Sequence, residues 1–396
     1  MNKKNTENGC FQVNWLGSTI YVKLLILISI TFFIKSCRNA EYIKDYMQFY
    51  KSNVVVAKAE KWSNYKKLMG ASVTFYTDNK SNVSYFLVFL KTSNYLLICD
   101  TQGLIISKHF INTSSRGETF DTYIKSPDSI YACIDRNMIV LSDTNRLLKH
   151  WVFDSISAAK LQDMTICSNK YWNDFIVYNN KLCVFIIPNV TVTEFKKIYS
   201  RSTIAVFDIS KNYLVLSDTF AYLPDKFRKD FYFIGFPITQ PMENDKYVYC
   251  LRNTDTLYSI DLRNPTNNRE IALNSRSFIE NRPLNVDSFK NDPRYQSKYL
   301  MSNTSNLWFK YDKYRNVYYK LYNLPVKYNN DDGTVNNFDD APFILSILDS
   351  NLNIIKEIEF PGKIYDKVRS VITNSGLLLR KNLDDRIEYD TYDFTY

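Results

Sequence analysis

The chain has 396 residues, of which 45% are hydrophobic, 23% charged and 16% aromatic, enough apolar side chain to offset the entropy of ordering a large fold and to exclude intrinsic disorder. Fifty Lys and Arg against 41 Asp and Glu leave a net charge of +9, but the basic residues are scattered among acids with no Arg-rich stripe or basic-aromatic alternation, which argues against nucleic acid as a partner. Tyr and Phe, at 31 and 26, outnumber Gly, at nine, so the apolar set favours strands and Asn and Asp must occupy many turns. The length fits two medium domains or one large β domain, and the lack of a linker favours the latter.

At the amino terminus Lys23 precedes Leu24 to Ile34, eleven residues without a charge. As a helix this run spans about 16 Å, half of a hydrocarbon core, whereas the apolar region of an export signal needs about 7 to 15 residues. Lys35, Ser36 and Cys37 follow at once. The arrangement resembles a bacterial lipobox, with Lys35 standing where that pattern usually has a small or apolar residue. The resemblance implies a signal peptide over residues 1–36, acylation of Cys37, a tether over 37–52 and attachment to a membrane through the lipid. An uncleaved signal anchor is the alternative. The other cysteines, Cys10, Cys99, Cys133, Cys167, Cys183 and Cys250, contain no C-x-x-C pair, so neither a zinc site nor a dense disulfide framework is indicated, and most read as buried thiols.

From residue 54 onward short apolar or alternating runs are separated by Asn, Asp, Ser and Lys, the signature of strands and turns. Five sets share one layout, a strand, a second strand ending near Asp, a polar turn and a further strand. They comprise 85–90, 95–100 and 104–110; 129–134, 138–143 and 147–153; 181–187, 203–208 and 213–217; 246–251, 256–261 and 269–273; and 317–322, 343–349 and 354–360. The aspartates closing the middle strands, Asp100, Asp143, Asp208, Asp261 and Asp349, lie 43, 65, 53 and 88 residues apart. A sixth set, 369–373, 376–381 and 387–394, lacks an outermost strand, and the early run Asn53 to Lys58 lacks partners. Joining the two closes a ring, which removes exposed sheet edges. The predicted fold is therefore all-β, a six-bladed β-propeller over residues 53–396 whose amino-terminal strand completes the carboxy-terminal blade; a pair of β-sandwiches is the alternative.

Together with the lipobox-like cysteine, the stretches Trp308 to Lys320 and Ile347 to Glu357 resemble an uncharacterised family of Bacteroidota lipoproteins of similar length. The resemblance covers nearly the whole chain. It implies an envelope location and a six-bladed-propeller-like domain of unknown function, and brings no catalytic residues with it.

Catalytic signatures are sparse. His109 and His150 occupy corresponding outer strands and read as scaffold, and the sequence has no H-E-x-x-H, no G-x-S-x-G and no glycine-rich phosphate loop. The five hairpin aspartates are expected to cap their own turns. Asp331, Asp332, Asp339 and Asp340 lack the D-x-D-x-D-G spacing of a calcium loop and read as a solvated insertion. No cofactor or metal is implied. The long connections 188–202, 218–232, 274–306 and 325–341 are expected on one face of the disc, where binding residues concentrate. Tyr222, Phe227, Arg228, Phe231 and Tyr232 form the candidate binding set, a mixture of rings and positive charge suited to a glycan or an acidic peptide. The expected function is a non-enzymatic binding or assembly module of the cell envelope with a protein or glycan partner; the alternative is an enzyme cleaving polysaccharide or peptide with carboxylates in the central channel.

Overall fold

A sheet whose two faces are both covered needs apolar residues at consecutive positions, and a strand at its rim does not. That difference runs through the computed structural model, which describes residues 50–58, 71–78, 81–90, 95–110, 119–134, 138–142, 147–152, 155–166, 176–188, 202–222, 238–242, 246–292, 294–383 and 386–394. Residues Tyr50–Tyr396 form one compact unit.

The described chain opens with β1 (Tyr50–Lys58), which joins the last sheet. Then come β2 (Ala71–Thr77), β3 (Ser84–Leu90), β4 (Tyr95–Cys99) and β5 (Ile105–Phe110) in a first sheet, and β6 (Thr119–Ser126), β7 (Ser129–Ile134), β8 (Met138–Ser142) and β9 (Leu147–Val152) in a second. The third holds β10 (Met164–Ile166), β11 (Ile176–Tyr178), β12 (Lys181–Pro188), β13 (Ile204–Asp208) and β14 (Val215–Phe220). There β10 and β11 share one edge of β12, pairing with its far and near ends. The fourth is β15 (Ile238–Pro241), β16 (Lys246–Cys250), β17 (Thr256–Asp261) and β18 (Arg269–Ala272), and the fifth β19 (Ser305–Asp312), β20 (Val317–Asn323), β21 (Phe343–Leu348) and β22 (Ile354–Phe360). The sixth runs β23 (Tyr365–Thr373), β24 (Gly376–Lys381), β25 (Arg386–Tyr392) and finally β1.

The first strands of successive sheets touch one another in the cycle β2, β6, β11, β15, β19, β23 and back to β2. The chain is thus a six-bladed β-propeller, and the sandwich pair is eliminated. Closure is made as expected: β1 lies antiparallel to β25, with Tyr50 opposite Tyr392, Val54 opposite Tyr389 and Lys58 opposite Arg386.

Packing between blades explains the sequence pattern. Along β3, Leu87 and Phe89 pack with Ile124 and Ile130 of the second blade, while Phe86, Val88 and Leu90 pack with Val371, Leu378 and Tyr389 of the sixth. Comparable clusters join blades two and three through Tyr131, Trp151 and Phe207, three and four through Phe220, Tyr247 and Tyr249, and four and five through Val248, Phe309 and Tyr318. Between blades five and six, Phe360 stacks on Phe343 at 5.0 Å and meets Tyr392 edge-on at 5.3 Å. Rim strands are free of this demand, and β18 reads Arg-Glu-Ile-Ala with three of its four residues exposed.

Each blade is an antiparallel meander, so its first and third turns emerge on one face of the disc. Its middle turn and the connection to the next blade emerge on the other. The first kind are tight hairpins, several of them held by aspartate. Asp100 Oδ1 accepts from the Gln102 and Leu104 amides at 2.9 and 2.8 Å, and Asp349 Oδ1 from Asn351 and Asn353 at 2.9 and 2.8 Å. Asp261 receives Arg263 and Asn264 in the same way. Hydrogen bonds from the Ser210 side chain and amide hold the Asp208 carboxyl below its usual range. Asp143 lies outside the described residues. The long connections take the opposite face, with the helices α1 (Ser155–Lys160), α2 (Val286–Asn291) and α3 (Tyr295–Met301).

Deleting residues 1–58 removes β1 and leaves β25 as a bare edge. The shortened chain should melt lower by about 5 °C or more and self-associate with concentration, read by calorimetry and size-exclusion chromatography; an unchanged melt would show that β1 does not close the ring.

Candidate functional site

The loop-bearing face is where the sequence departs most from a regular repeat, and its connections after β18 and β20 are tied down by side chains of the blades beneath. In the connection between β18 and β19, Asn285 caps α2 by accepting from the Ser288 amide at 2.9 Å. Tyr299 of α3 is buried against the core of blades three and four and donates to Arg282 O at 2.6 Å. The next insertion is joined to this one by the Val326 amide, which donates to Met301 O at 2.7 Å.

Under these loops lies a buried polar layer. The turn between β16 and β17 carries Arg252, Asn253 and Thr254, all buried. Asn306, in the first strand of the fifth blade, clamps that turn: its Nδ2 donates to Leu251 O at 2.7 Å and Thr254 O at 2.8 Å, and its amide donates to Arg252 O. Burial lowers the Arg252 pKa to about 10. Just outward, the fully buried Lys320 ammonium pairs with Asp255 at 2.5 Å and lies 4.7 Å from the Phe278 ring. Asp255 also accepts from the Ser275 amide and hydroxyl at 2.6 and 2.8 Å. Glu357 receives Tyr322 OH, Ser346 OH and the Arg276 amide, each at 2.9 Å. The network fixes where the long connection leaves blade four.

A second anchor sits beside the channel strand β23. Between Tyr365 and Ser370 the pairing with β24 slips, and this irregular stretch presents Asp366, Lys367 and Arg369. Lys367, buried, donates to Phe338 O of the insertion between β20 and β21 and lies 4.7 Å from the Phe338 ring. Burial drives its pKa down to about 8, opposed by Asp339 and Asp340. Burial raises that of Asp339 in turn. Asp366 pairs with Arg369. The connection between β22 and β23 passes so close to the insertion that a Cβ at Gly362 would run into Asp340 O, which is why glycine stands there.

The first two aspartates of the insertion are solvated as expected, whereas Asp339 and Asp340 are half-buried. Asp331 pairs with Lys327 at 3.0 Å and Asp332 accepts from the Thr334 amide and hydroxyl. Asp340 completes a capping box with Asn337, and Asp339 lies by Lys367. Among the described residues no group of three His, Cys, Asp or Glu is placed to share a metal ion, and no helix is long and apolar enough to cross a membrane.

Of the predicted binding set, Tyr222 is on the loop face and 53% exposed. Phe227, Arg228, Phe231 and Tyr232 lie outside the described residues, as does Cys37. The same face exposes Ile279, Val335 and Ile364. His109 and His150 lie in corresponding outer strands but not at equivalent places: His109 is opposite Leu96, the second residue of β4, and His150 opposite Val140, the third of β8, a one-residue offset that puts them on opposite faces of their sheets. Cys99 and Cys250 are buried thiols pushed up to about 12 by burial. The sequence reading missed Lys320, Asp255 and Lys367. Lys320 does interrupt an otherwise apolar and aromatic strand, and a lysine at such a position signals a buried partner.

No protein-family model and no curated protein matches the chain. Among solved structures it is similar to a member of the DUF4221 family from Bacteroides vulgatus, at 15% identity and a TM-score of 0.69 over 87% of this chain and 97% of that one. It is also similar to an exported-protein candidate from Bacteroides fragilis, at 9% identity and a TM-score of 0.49 over 87% and 95%. At 15% identity the likeness to the Bacteroides vulgatus protein concerns the fold alone.

Two outcomes follow for the anchors. Asp255→Ala strands the buried ammonium and is expected to cost roughly 3–5 kcal/mol in urea denaturation, with Lys320→Met costing less because it removes the charge itself; equal losses would contradict the pairing. An unfolded lysine keeps its proton to about pH 10.4, whereas folded Lys367 loses it near 8. Between these values the unfolded chain holds more protons, so the Lys367 contribution to stability rises with pH. The stability difference, wild type minus Lys367→Met, should therefore grow between about pH 7 and 9.5; a flat difference would place Lys367 in solvent.

Proposed function

We propose that this protein is a non-enzymatic binding or assembly module of the bacterial cell envelope, acylated at Cys37 and engaging a protein or glycan through its loop-bearing face. The observation that carries the reading is the asymmetry of the disc: one face has short hairpins, several of them capped by aspartate, and the other carries the long connections, of which those after β18 and β20 are anchored from below by buried ion pairs and polar side chains. Rigid supports under variable loops are the usual construction of a recognition surface. Tyr222 and Ile279 offer aromatic and aliphatic contact area there. The membrane attachment rests on the apolar run and cysteine at residues 24–37, and kinship with envelope lipoproteins rests on the sequence resemblance together with the shared fold. A cleaving enzyme is less well supported, since Asp366 pairs with Arg369 and Asp339 neighbours the Lys367 ammonium.

The two parts of the proposal are tested separately. Metabolic labelling with a clickable fatty acid should mark the wild type and not Cys37→Ala, which should leave the membrane fraction; retention without label would replace the lipid by an uncleaved anchor. Photo-crosslinking residues at Tyr222 and Ile279 should capture one recurrent protein or glycan from living cells, and the same residue at Tyr213 on the hairpin face should not. Equal capture from both faces would overturn the assignment of the recognition surface.

A further inference from the structure

We infer that the protein rests on the lipid surface with its hairpin face and presents its loop face away from the membrane. This orientation depends on the proposed attachment through Cys37 and follows from the direction of one strand.

Within the sixth blade, the connection from β24 to β25 belongs to the loop face, so β25 starts there at Arg386 and ends on the hairpin face at Tyr392. β1 runs antiparallel to it, with Lys58 opposite Arg386 and Tyr50 opposite Tyr392. The chain upstream of Tyr50 therefore departs from the hairpin face. Between Cys37 and Tyr50 stand twelve residues, Arg38 to Phe49, so the two ends cannot be more than about 47 Å apart even when the tether is fully extended. A seven-residue strand such as β3 makes the disc about 23 Å thick. For the loop face to lie on the bilayer, the tether would have to run back across that whole thickness along the rim, using about half of its maximum length before turning under the disc. With the hairpin face down no such detour is needed.

The hairpin tips suit that position. Leu104 in the β4 to β5 turn is 66% exposed and Tyr213 in the β13 to β14 turn 55%, and Val83 and Tyr314 are exposed in the β2 to β3 and β19 to β20 turns. Aromatic and aliphatic side chains at turn tips settle within ~5–10 Å of the headgroup and acyl boundary without spanning it. Charge contributes little to the contact, because the same tips carry the capping aspartates as well as Lys211, Arg263 and Lys313; the lipid anchor and the apolar tips carry it.

The test uses full-length acylated protein carrying an environment-sensitive fluorescent residue at Leu104, Tyr213, Tyr222 or Ile279, reconstituted into phosphatidylethanolamine and phosphatidylglycerol vesicles with brominated acyl chains. Flotation first reports whether the chain is on the vesicles. With flotation intact, quenching at Leu104 and Tyr213 several-fold stronger than at Tyr222 and Ile279 is the expected result. The reverse pattern, or equal quenching at all four, overturns the orientation while leaving the anchor standing. Loss of flotation removes the anchor and the orientation with it.

Discussion

Every blade of this protein has two apolar faces and is stable only when a neighbour covers each of them. Along β3 alternate residues serve different partners, Leu87 and Phe89 facing the second blade and Phe86, Val88 and Leu90 the sixth. A row of such sheets has two uncovered ends, and only closing it into a ring leaves none. The ring is completed by β1, which supplies the rim strand that the last sheet lacks. The closing strand also carries the chain's amino-terminal extension, so the element that holds the propeller shut fixes where the chain leaves the disc.

Because the strands are committed to mutual packing, freedom to vary is confined to the connections, and the two faces use it differently. On the hairpin face Asp100, Asp261, Asp312 and Asp349 each accept two amides of their own tight turn, and little else is needed there. On the loop face, insertions of up to about thirty residues must be seated without a core of their own. They are held from below by buried polar groups reaching out of the sheets: Asn306 on the turn at 251–254, Lys320 with Asp255 and Ser275, and Lys367 on Phe338 O. Burying an ammonium is costly unless it is paired, so these lysines make the seating of the loops specific to one arrangement.

Legibility in the sequence followed burial. Second and third strands of the blades, such as β3 and β4, are covered on both sides and read as nearly continuous apolar runs, so their positions and the hairpin aspartates were plain. The closing role of Asn53 to Lys58 was also readable, from a missing strand at one end and a spare at the other. Most first strands were not. β6 reads Thr-Phe-Asp-Thr-Tyr-Ile-Lys-Ser, β15 is four residues ending in proline, and the first strand of the third blade is split into β10 and β11. Strands that line a channel have no apolar partner across it, so they lose the hydrophobic pattern that marks a strand. At the candidate site, aromatic residues in long loops pointed to Tyr222, but Asp255 and Lys367 gain their roles only from contacts across blades that no local spacing encodes.

The central claim is that β1 closes the ring in one defined register with β25. Replacing Ser52→Cys together with Thr391→Cys places two thiols at directly opposed positions. Mild oxidation should then form an intramolecular disulfide in high yield, visible as a mobility shift reversed by reductant, while the offset pair Ser52→Cys with Tyr389→Cys should not cross-link. Failure of the opposed pair, or equal cross-linking of the offset pair, would contradict the closure and the exit direction of the chain that depends on it.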